Sequence, residues 1–181
     1  MAFQDSTPEA EAPFKDAVEV LNYALTLEHL ESTFYREGLD ALGPAAFEEA
    51  GFQTVVRENI VEIGAHEAEH VEVLTSVIES LDGEPVEEAE YDFGYDKGDV
   101  AGFLATAAAL ENTGVSAYTG AAQYLIEEDE LLTAALTIHG VEARHAAYLN
   151  VLNGTSPFPE SFDPPLTPDE VLEIAGPFIV S

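Results

Sequence analysis

Two parts of the chain repeat the same spacing of polar residues, and this repeat limits the fold more than any other feature. The motif Glu-x-x-His occurs twice, each time with a leucine four residues after the histidine. Ahead of each motif, a glutamate is followed seven residues later by a tyrosine. The repeated residues are Glu28, Tyr35, Glu67, His70 and Leu74 in the first half and Glu111, Tyr118, Glu142, His145 and Leu149 in the second. Residues three apart share one face of an α-helix, so the repeat predicts two pairs of helices with polar groups on matching faces.

The apolar residues support four long helices. They follow the helical period over residues 16–42, 53–81, 99–126 and 129–152. Gly43-Pro44 is expected to end the first helix, with a short helical turn at 45–50, and Asp99 is the expected N-cap of the third. A capping-box signature that begins at Thr167 predicts one short helix over residues 168–175.

The order of these segments predicts an all-α protein. We expect a disordered lead at residues 1–14, a four-helix bundle over 15–153 and a proline-rich tail over 154–181 that carries the short helix. Residues 83–98 lack helical periodicity and form a long crossover between the second and third helices. The tail is expected to pack against the bundle or a second subunit, because its apolar side chains would otherwise be exposed: Phe158, Phe162, Phe178 and Ile179.

The repeated polar residues predict a metal centre inside this bundle. Buried carboxylates must pair, take up protons or bind metal, because an isolated buried charge is very costly. Four glutamates carry four negative charges, which two divalent ions would balance, and carboxylate with imidazole donors suits iron or manganese. The candidate ligands are Glu28, Glu67, His70, Glu111, Glu142 and His145.

The amino-acid sequences of the predicted helices also resemble a known family. The stretches LNYALTLEHLESTFY, HEAEHVEVL, ALENTGVSAY and VEARHAAYL are similar to the ferritin-like-domain family that includes desiccation-related proteins. The resemblance covers about residues 17–153. It implies that Glu28 and Glu111 are terminal ligands of one metal each, that Glu67 and Glu142 bridge the two ions, and that the two histidines complete the sites.

The resemblance implies redox chemistry at two transition-metal ions per chain, with iron expected first and manganese second. The expected activity is oxidation of Fe(II) or consumption of O2 or peroxide, in iron handling or oxidative-stress defence. Cage-forming ferritins have a further helix and pore motifs that have no counterpart in this sequence, so we expect at most a smaller homo-oligomer. The alternative function is a non-enzymatic stress or desiccation-related bundle that is metal-free.

Several residues near the motifs allow a different interpretation. His66 and His70 complete an H-E-x-x-H sequence, the signature of zinc metalloproteases, although this interpretation leaves the second Glu-x-x-His unused. Glu31 lies one turn from Glu28 and is the alternative ligand on the first helix. Three histidines outside the repeat are expected to be structural or to lie beside the site: His29, His66 and His139. Tyr35 and Tyr118 are either core aromatics or partners of the ligands.

The charge of the chain excludes some partners. Thirty-six acidic residues face five basic ones, for a net charge of -31, so nucleic acid and anionic membranes would be repelled. Such a shell is self-repelling in dilute buffer and is screened at molar salt, where the Debye length falls to about 3 Å. We therefore expect a halophilic protein in a salt-rich cytoplasm. The sequence has no cysteine and no apolar run long enough for a membrane span, and we find no secretory signal.

Overall fold

Four long helices form the body of the protein. The computed structural model describes residues 12–95 and 99–180, so the first eleven residues of the expected disordered lead lie outside the described part. The long helices are α1 (Ala17–Glu49), α2 (Thr54–Ser80), α3 (Val100–Ala121) and α4 (Asp129–Leu152). The short helix α5 (Pro168–Ala175) follows in the tail. α1 packs mainly against α2 and α3 mainly against α4, while contacts between α1 and α3 join the two pairs. The predicted all-α bundle is confirmed.

Local signals in the sequence fix where the helices begin. The Asp16 carboxylate accepts the backbone N–H of Glu19 at the start of α1. Asp99 does the same for Gly102 at the start of α3. Thr167 caps α5 through the predicted capping box. Each cap satisfies a backbone N–H that has no partner within its helix.

One helix end agrees with the predictions and one differs. Gly43 leaves the helical conformation at φ 67° and a short helical segment follows from Pro44 to Glu49, as expected, so that α1 consists of two helical parts joined at a kink. Proline is tolerated there because the first turn of a helix needs no N–H donor. The apolar pattern predicts that the third helix reaches residue 126. It ends at Ala121, and residues Ala122–Leu125 form a 3-10 turn that leads into α4.

The long crossover lies along α1. The side chain of Asn22 donates to the Glu84 carbonyl oxygen and accepts the Val86 N–H at 2.7 Å. Further along, Arg36 forms an ion pair with Glu88 at 2.8 Å. These contacts hold the connection on the outside of the bundle, so it leaves the space between the four helices free.

The tail packs against the bundle only in part. Phe178 and Ile179 contact the main core, and the backbone of Phe178 accepts a hydrogen bond from Asp92 in the crossover. The backbone N–H of Leu166 donates to Ser116 on α3, and a Cβ at Gly120 would clash with the Leu166 carbonyl. In contrast, Phe158 and Phe162 are exposed on this chain. Packing against the bundle is therefore seen for Phe178 and Ile179, and packing of the other two rings against a second subunit stays a prediction.

Candidate metal centre

All six candidate ligands lie between the four long helices. The four glutamates are 0% exposed, and His70 and His145 are 9% and 5% exposed. α1 supplies Glu28, α2 supplies Glu67 and His70, α3 supplies Glu111, and α4 supplies Glu142 and His145. Each helix therefore turns its repeated polar residues inward, which is the placement that the spacing predicts.

His70 faces three carboxylates through a single nitrogen. Its Nδ1 lies 3.0 Å from Glu67 Oε2, 3.1 Å from Glu28 Oε2 and 3.1 Å from Glu142 Oε1. A ring nitrogen has one N–H at most and can direct it at one oxygen. Three carboxylate oxygens around one nitrogen thus exceed what one hydrogen bond can satisfy.

His145 has a matching environment in the second half of the repeat. Its Nδ1 lies 2.9 Å from Glu67 Oε1, 3.1 Å from Glu111 Oε2 and 4.0 Å from Glu142 Oε2. Glu28 with His70 and Glu111 with His145 are therefore equivalent pairs, and Glu67 and Glu142 lie close to both histidines.

The donor atoms fall into two groups that could each hold a metal ion. In each group, one donor atom from every residue lies within 4.8 Å of the others. The groups are Glu28, Glu67, His70 and Glu142, and Glu67, Glu111, Glu142 and His145. Two glutamates belong to both groups, which is the arrangement that two neighbouring ions with bridging carboxylates require.

The hydrogen bonding of these residues fits a site for cations. Five of the nitrogen–oxygen separations lie between 2.9 and 3.1 Å, which is hydrogen-bond distance, yet each ring nitrogen has at most one N–H to donate. Both carboxylate oxygens of Glu142, and Oε1 of Glu67, are buried and accept no hydrogen bond. These orphaned oxygens have acceptor capacity for cations.

Without metal, the centre is strained electrostatically. Burial and the charge of Glu142 raise the pKa of Glu67 to about 7. Burial, followed by the charges of Glu111 and Glu28, raises the pKa of Glu142 well above its ordinary value. Burial alone would lower the pKa of His145, but its contacts with Glu111 and Glu67 outweigh burial and raise it to about 10. The charges of these buried carboxylates are therefore unfavourable unless a proton or a cation balances them.

The two repeated tyrosines bind the glutamates of the opposite half. The Tyr35 hydroxyl donates to Glu111 Oε1 at 2.5 Å, and the Tyr118 hydroxyl donates to Glu28 Oε1 at 2.5 Å. Both side chains are buried. They thus combine the two roles that the sequence left open, since each ring packs in the core while its hydroxyl holds a candidate ligand in place.

His66, the first histidine of the H-E-x-x-H sequence, contacts a candidate ligand and lies outside the donor groups. His66 Nδ1 lies 2.9 Å from His145 Nε2, on the side of that ring turned away from the carboxylates, and the two rings stack with centroids 5.2 Å apart. His66 belongs to neither donor group. This geometry favours the interpretation of His66 as a neighbour that orients His145 over the zinc-protease interpretation.

Two further histidines and Glu31 also lie outside the donor groups. His29 contacts the Val86 carbonyl, and His139 contacts the Thr119 hydroxyl at 3.1 Å. Glu31 is buried at 3% exposure but belongs to neither group, whereas Glu28 does. The spacing did not indicate that Glu31 and Glu28 would be buried together.

The bundle and its central carboxylates define a class of protein. The model of the ferritin-like domain family matches residues 16–155, and the chain belongs to this family. Among curated proteins, it is similar to Protein rds1 of Schizosaccharomyces pombe, with 28% identity over 179 residues. That alignment covers 97% of this chain and 42% of the yeast protein, so the chain spans less than half the length of this relative. Within the described residues, none of the helices combines the length and hydropathy needed to cross a bilayer.

Proposed function

We propose that the protein binds two transition-metal ions at the six candidate ligands and uses them in redox chemistry. The observation that carries this proposal is the convergence of four buried glutamates on two histidine nitrogens, with orphaned oxygens on Glu67 and Glu142. Carboxylate and imidazole donors suit iron first and manganese second. Membership of the ferritin-like family agrees with this assignment.

The proposed reaction is the oxidation of Fe(II), or the removal of O2 or peroxide, in iron handling or oxidative-stress defence. A bound pair of ions would supply two electrons, which with two protons reduce peroxide to two molecules of water, or O2 to peroxide. The residues of the chain hold the ions close together, shield them from bulk solvent and balance their charge. Glu67 and Glu142 would carry the largest share, because they belong to both donor groups.

A small apolar cavity lies next to Tyr118. It has a volume of about 30 Å³ and is lined almost entirely by apolar side chains. Its lining includes Leu21, Leu74 and Ile138. This volume accommodates a molecule about the size of water, and the cavity meets the centre only through Tyr118, whose hydroxyl donates to Glu28.

An aerobic Fe(II) oxidation assay in high salt tests the proposal. We expect the wild-type protein to oxidise Fe(II) faster than buffer does, with either O2 or peroxide as the oxidant. Glu67→Gln and Glu142→Gln should remove this activity, because each substitution removes a charge from both donor groups. Glu69→Gln is the matched control, since Glu69 lies on the exposed face of α2. Full activity in both interior variants would refute the proposed centre.

The non-enzymatic stress protein remains the competing hypothesis. In the metal-free arrangement, each histidine is already paired with carboxylates, so the bundle has a self-contained polar network. Purified protein that takes up neither Fe(II) nor Mn(II) would favour this function over redox catalysis.

A further inference from the structure

The two halves of the repeat differ at one position beside the centre. Glu31 follows Glu28 by three residues on α1, and the equivalent residue, three after Glu111 on α3, is Gly114. A residue three positions after a ligand lies on the same helix face, one turn away. The first half therefore adds a carboxylate where the second half has no side chain.

The glycine makes room for that carboxylate. A Cβ at position 114 would lie 3.2 Å from Glu31 Oε1, which is tighter than most packed contacts, and 3.6 Å from Glu142 Oε2. Glu31 thus extends across the bundle from α1 to the backbone of α3, into the space next to Glu142. An alanine or larger residue at position 114 would press on its carboxylate.

Glu31 lacks a protein partner in this position. It is 3% exposed, and within the described part of the chain no hydrogen bond or ion pair reaches it. Neither oxygen of the neighbouring Glu142 accepts a hydrogen bond. A buried carboxylate without a partner, next to a second carboxylate, is costly unless a cation or a proton lies beside it.

We propose that Glu31 is a fifth carboxylate of the metal centre, and that its charge makes the two metal positions unequal in affinity. This inference rests on the proposed two-metal function. Glu31 belongs to neither donor group, and its carboxylate lies by Gly114, one turn from Glu111, and by Glu142 Oε2, the oxygen that faces His145. It therefore adds negative charge on the side of Glu111 and His145. The ion nearer to Glu31 is then held more tightly than the other.

A stepwise Mn(II) titration tests this inference. Binding is measured by calorimetry and by the loss of the electron paramagnetic resonance signal of free Mn(II). We expect two separable affinities in the wild type. Glu31→Gln should weaken the tighter one by about 10- to 100-fold, the range found when a residue that supports a metal ligand is removed. The control is Glu37→Gln, which removes an exposed carboxylate from the same helix and should change neither affinity.

Gly114→Ala provides a second variant that keeps the charge but displaces it. Its Cβ should push the Glu31 carboxylate away and reduce the difference between the two affinities. Circular dichroism and the melting temperature of the metal-free protein establish that each variant is folded. If both affinities are unchanged in Glu31→Gln, or fall equally, the inference is wrong and Glu31 carries only a proton. If the wild type binds no Mn(II) or Fe(II), the proposed function fails as well.

Discussion

Glutamate side chains occupy two opposite environments in this protein, the buried centre of the bundle and its exposed outer surface. Glu67 and Glu69 lie two residues apart on α2, yet Glu67 is fully buried and Glu69 is exposed. Two residues along a helix correspond to a turn of about 200°, so the pair points to nearly opposite sides. The centre holds its carboxylates among two histidines and two tyrosines, whereas most of the 36 acidic residues meet water.

The difference shows that buried and exposed carboxylates need different counter-ions. A buried carboxylate cannot be screened by mobile salt, so it needs a cation or a proton at a fixed position. An exposed carboxylate needs only a screening atmosphere, and it tolerates neutralisation with little change in stability. Ions should therefore act on the centre by specific binding and on the surface by general screening.

The largest expected effect follows from the number of donor groups to which a glutamate belongs. Glu67→Gln should abolish tight binding of both ions, because Glu67 lies in both groups, whereas Glu28→Gln should leave one ion bound per chain. We expect affinity losses of at least about 100-fold, since changes outside the ligand sphere already cost about 10- to 100-fold. Metal analysis of the dialysed proteins measures this, with Glu69→Gln expected to retain both ions. Equal metal contents in all three variants would contradict the comparison.

His66→Ala should have the next largest effect. This substitution removes the partner of His145 Nε2, so the ion on the side of His145 and Glu111 should bind about 10-fold more weakly. The ion on the His70 side should be unaffected. Calorimetric titration with Mn(II) measures the affinities of the two metal positions separately. Glu62→Gln is the control, because it changes only an exposed neighbour of His66. Equal weakening of both ions in His66→Ala would exclude the orienting role.

The pH dependence of stability should reverse when metal is added. The pKa of Glu67 is raised to about 7 and that of His145 to about 10 in the metal-free protein. Both groups hold protons more tightly when folded than when unfolded. Their contribution to stability is therefore full below their ordinary pKa values and is lost as the pH rises through 7 for Glu67 and through 10 for His145. The metal-free melting temperature should fall over this range.

In the loaded protein, protons compete with the ions, so stability should rise over the same lower range of pH as Glu67 loses its proton. Melting curves at constant molar KCl keep the surface screened and isolate the centre. Glu67→Gln should flatten the decrease in the metal-free protein. A melting temperature of the metal-free protein that rises with pH would contradict this prediction.

The smallest effect for each residue is expected at the surface. With a net charge of -31, the melting temperature of the metal-free protein should increase from dilute to molar KCl. Replacing one exposed glutamate, such as Glu69 by glutamine, should change the free energy of unfolding by no more than about 0.5 kcal/mol. Thermal denaturation at a series of KCl concentrations tests the halophilic hypothesis, which a melting temperature independent of salt would exclude.

Much of the fold could be predicted because its signals are local. Apolar periodicity, the caps at Asp16 and Asp99 and the capping box at Thr167 each act within a few residues, and the predicted helices agree closely with α2, α4 and α5. The interruption at Gly43 and the helical turn after it were also predicted, because a residue with positive φ breaks the helical conformation locally. The early end of α3 depends on how the 3-10 turn fits between α3 and α4, which the sequence pattern does not encode.

The candidate site was predictable within each helix and not between helices. The Glu-x-x-His spacing places both side chains on one face, but the contact between His66 and His145 joins α2 to α4 across the bundle. The repeat itself contained a signal for the side chains beside the ligands. Aligning the two halves places His66 opposite Val141 and Glu31 opposite Gly114, so the differences within the repeat mark residues that lie next to the ligands in only one half.

Electron paramagnetic resonance of the protein loaded with two equivalents of Mn(II) tests the central claim most directly. Two ions that share Glu67 and Glu142 would lie close enough to couple magnetically, so we predict a coupled signal that needs two ions per chain. The uncoupled six-line signal of isolated Mn(II) at two equivalents, or binding that saturates at one ion per chain, would contradict a dinuclear centre.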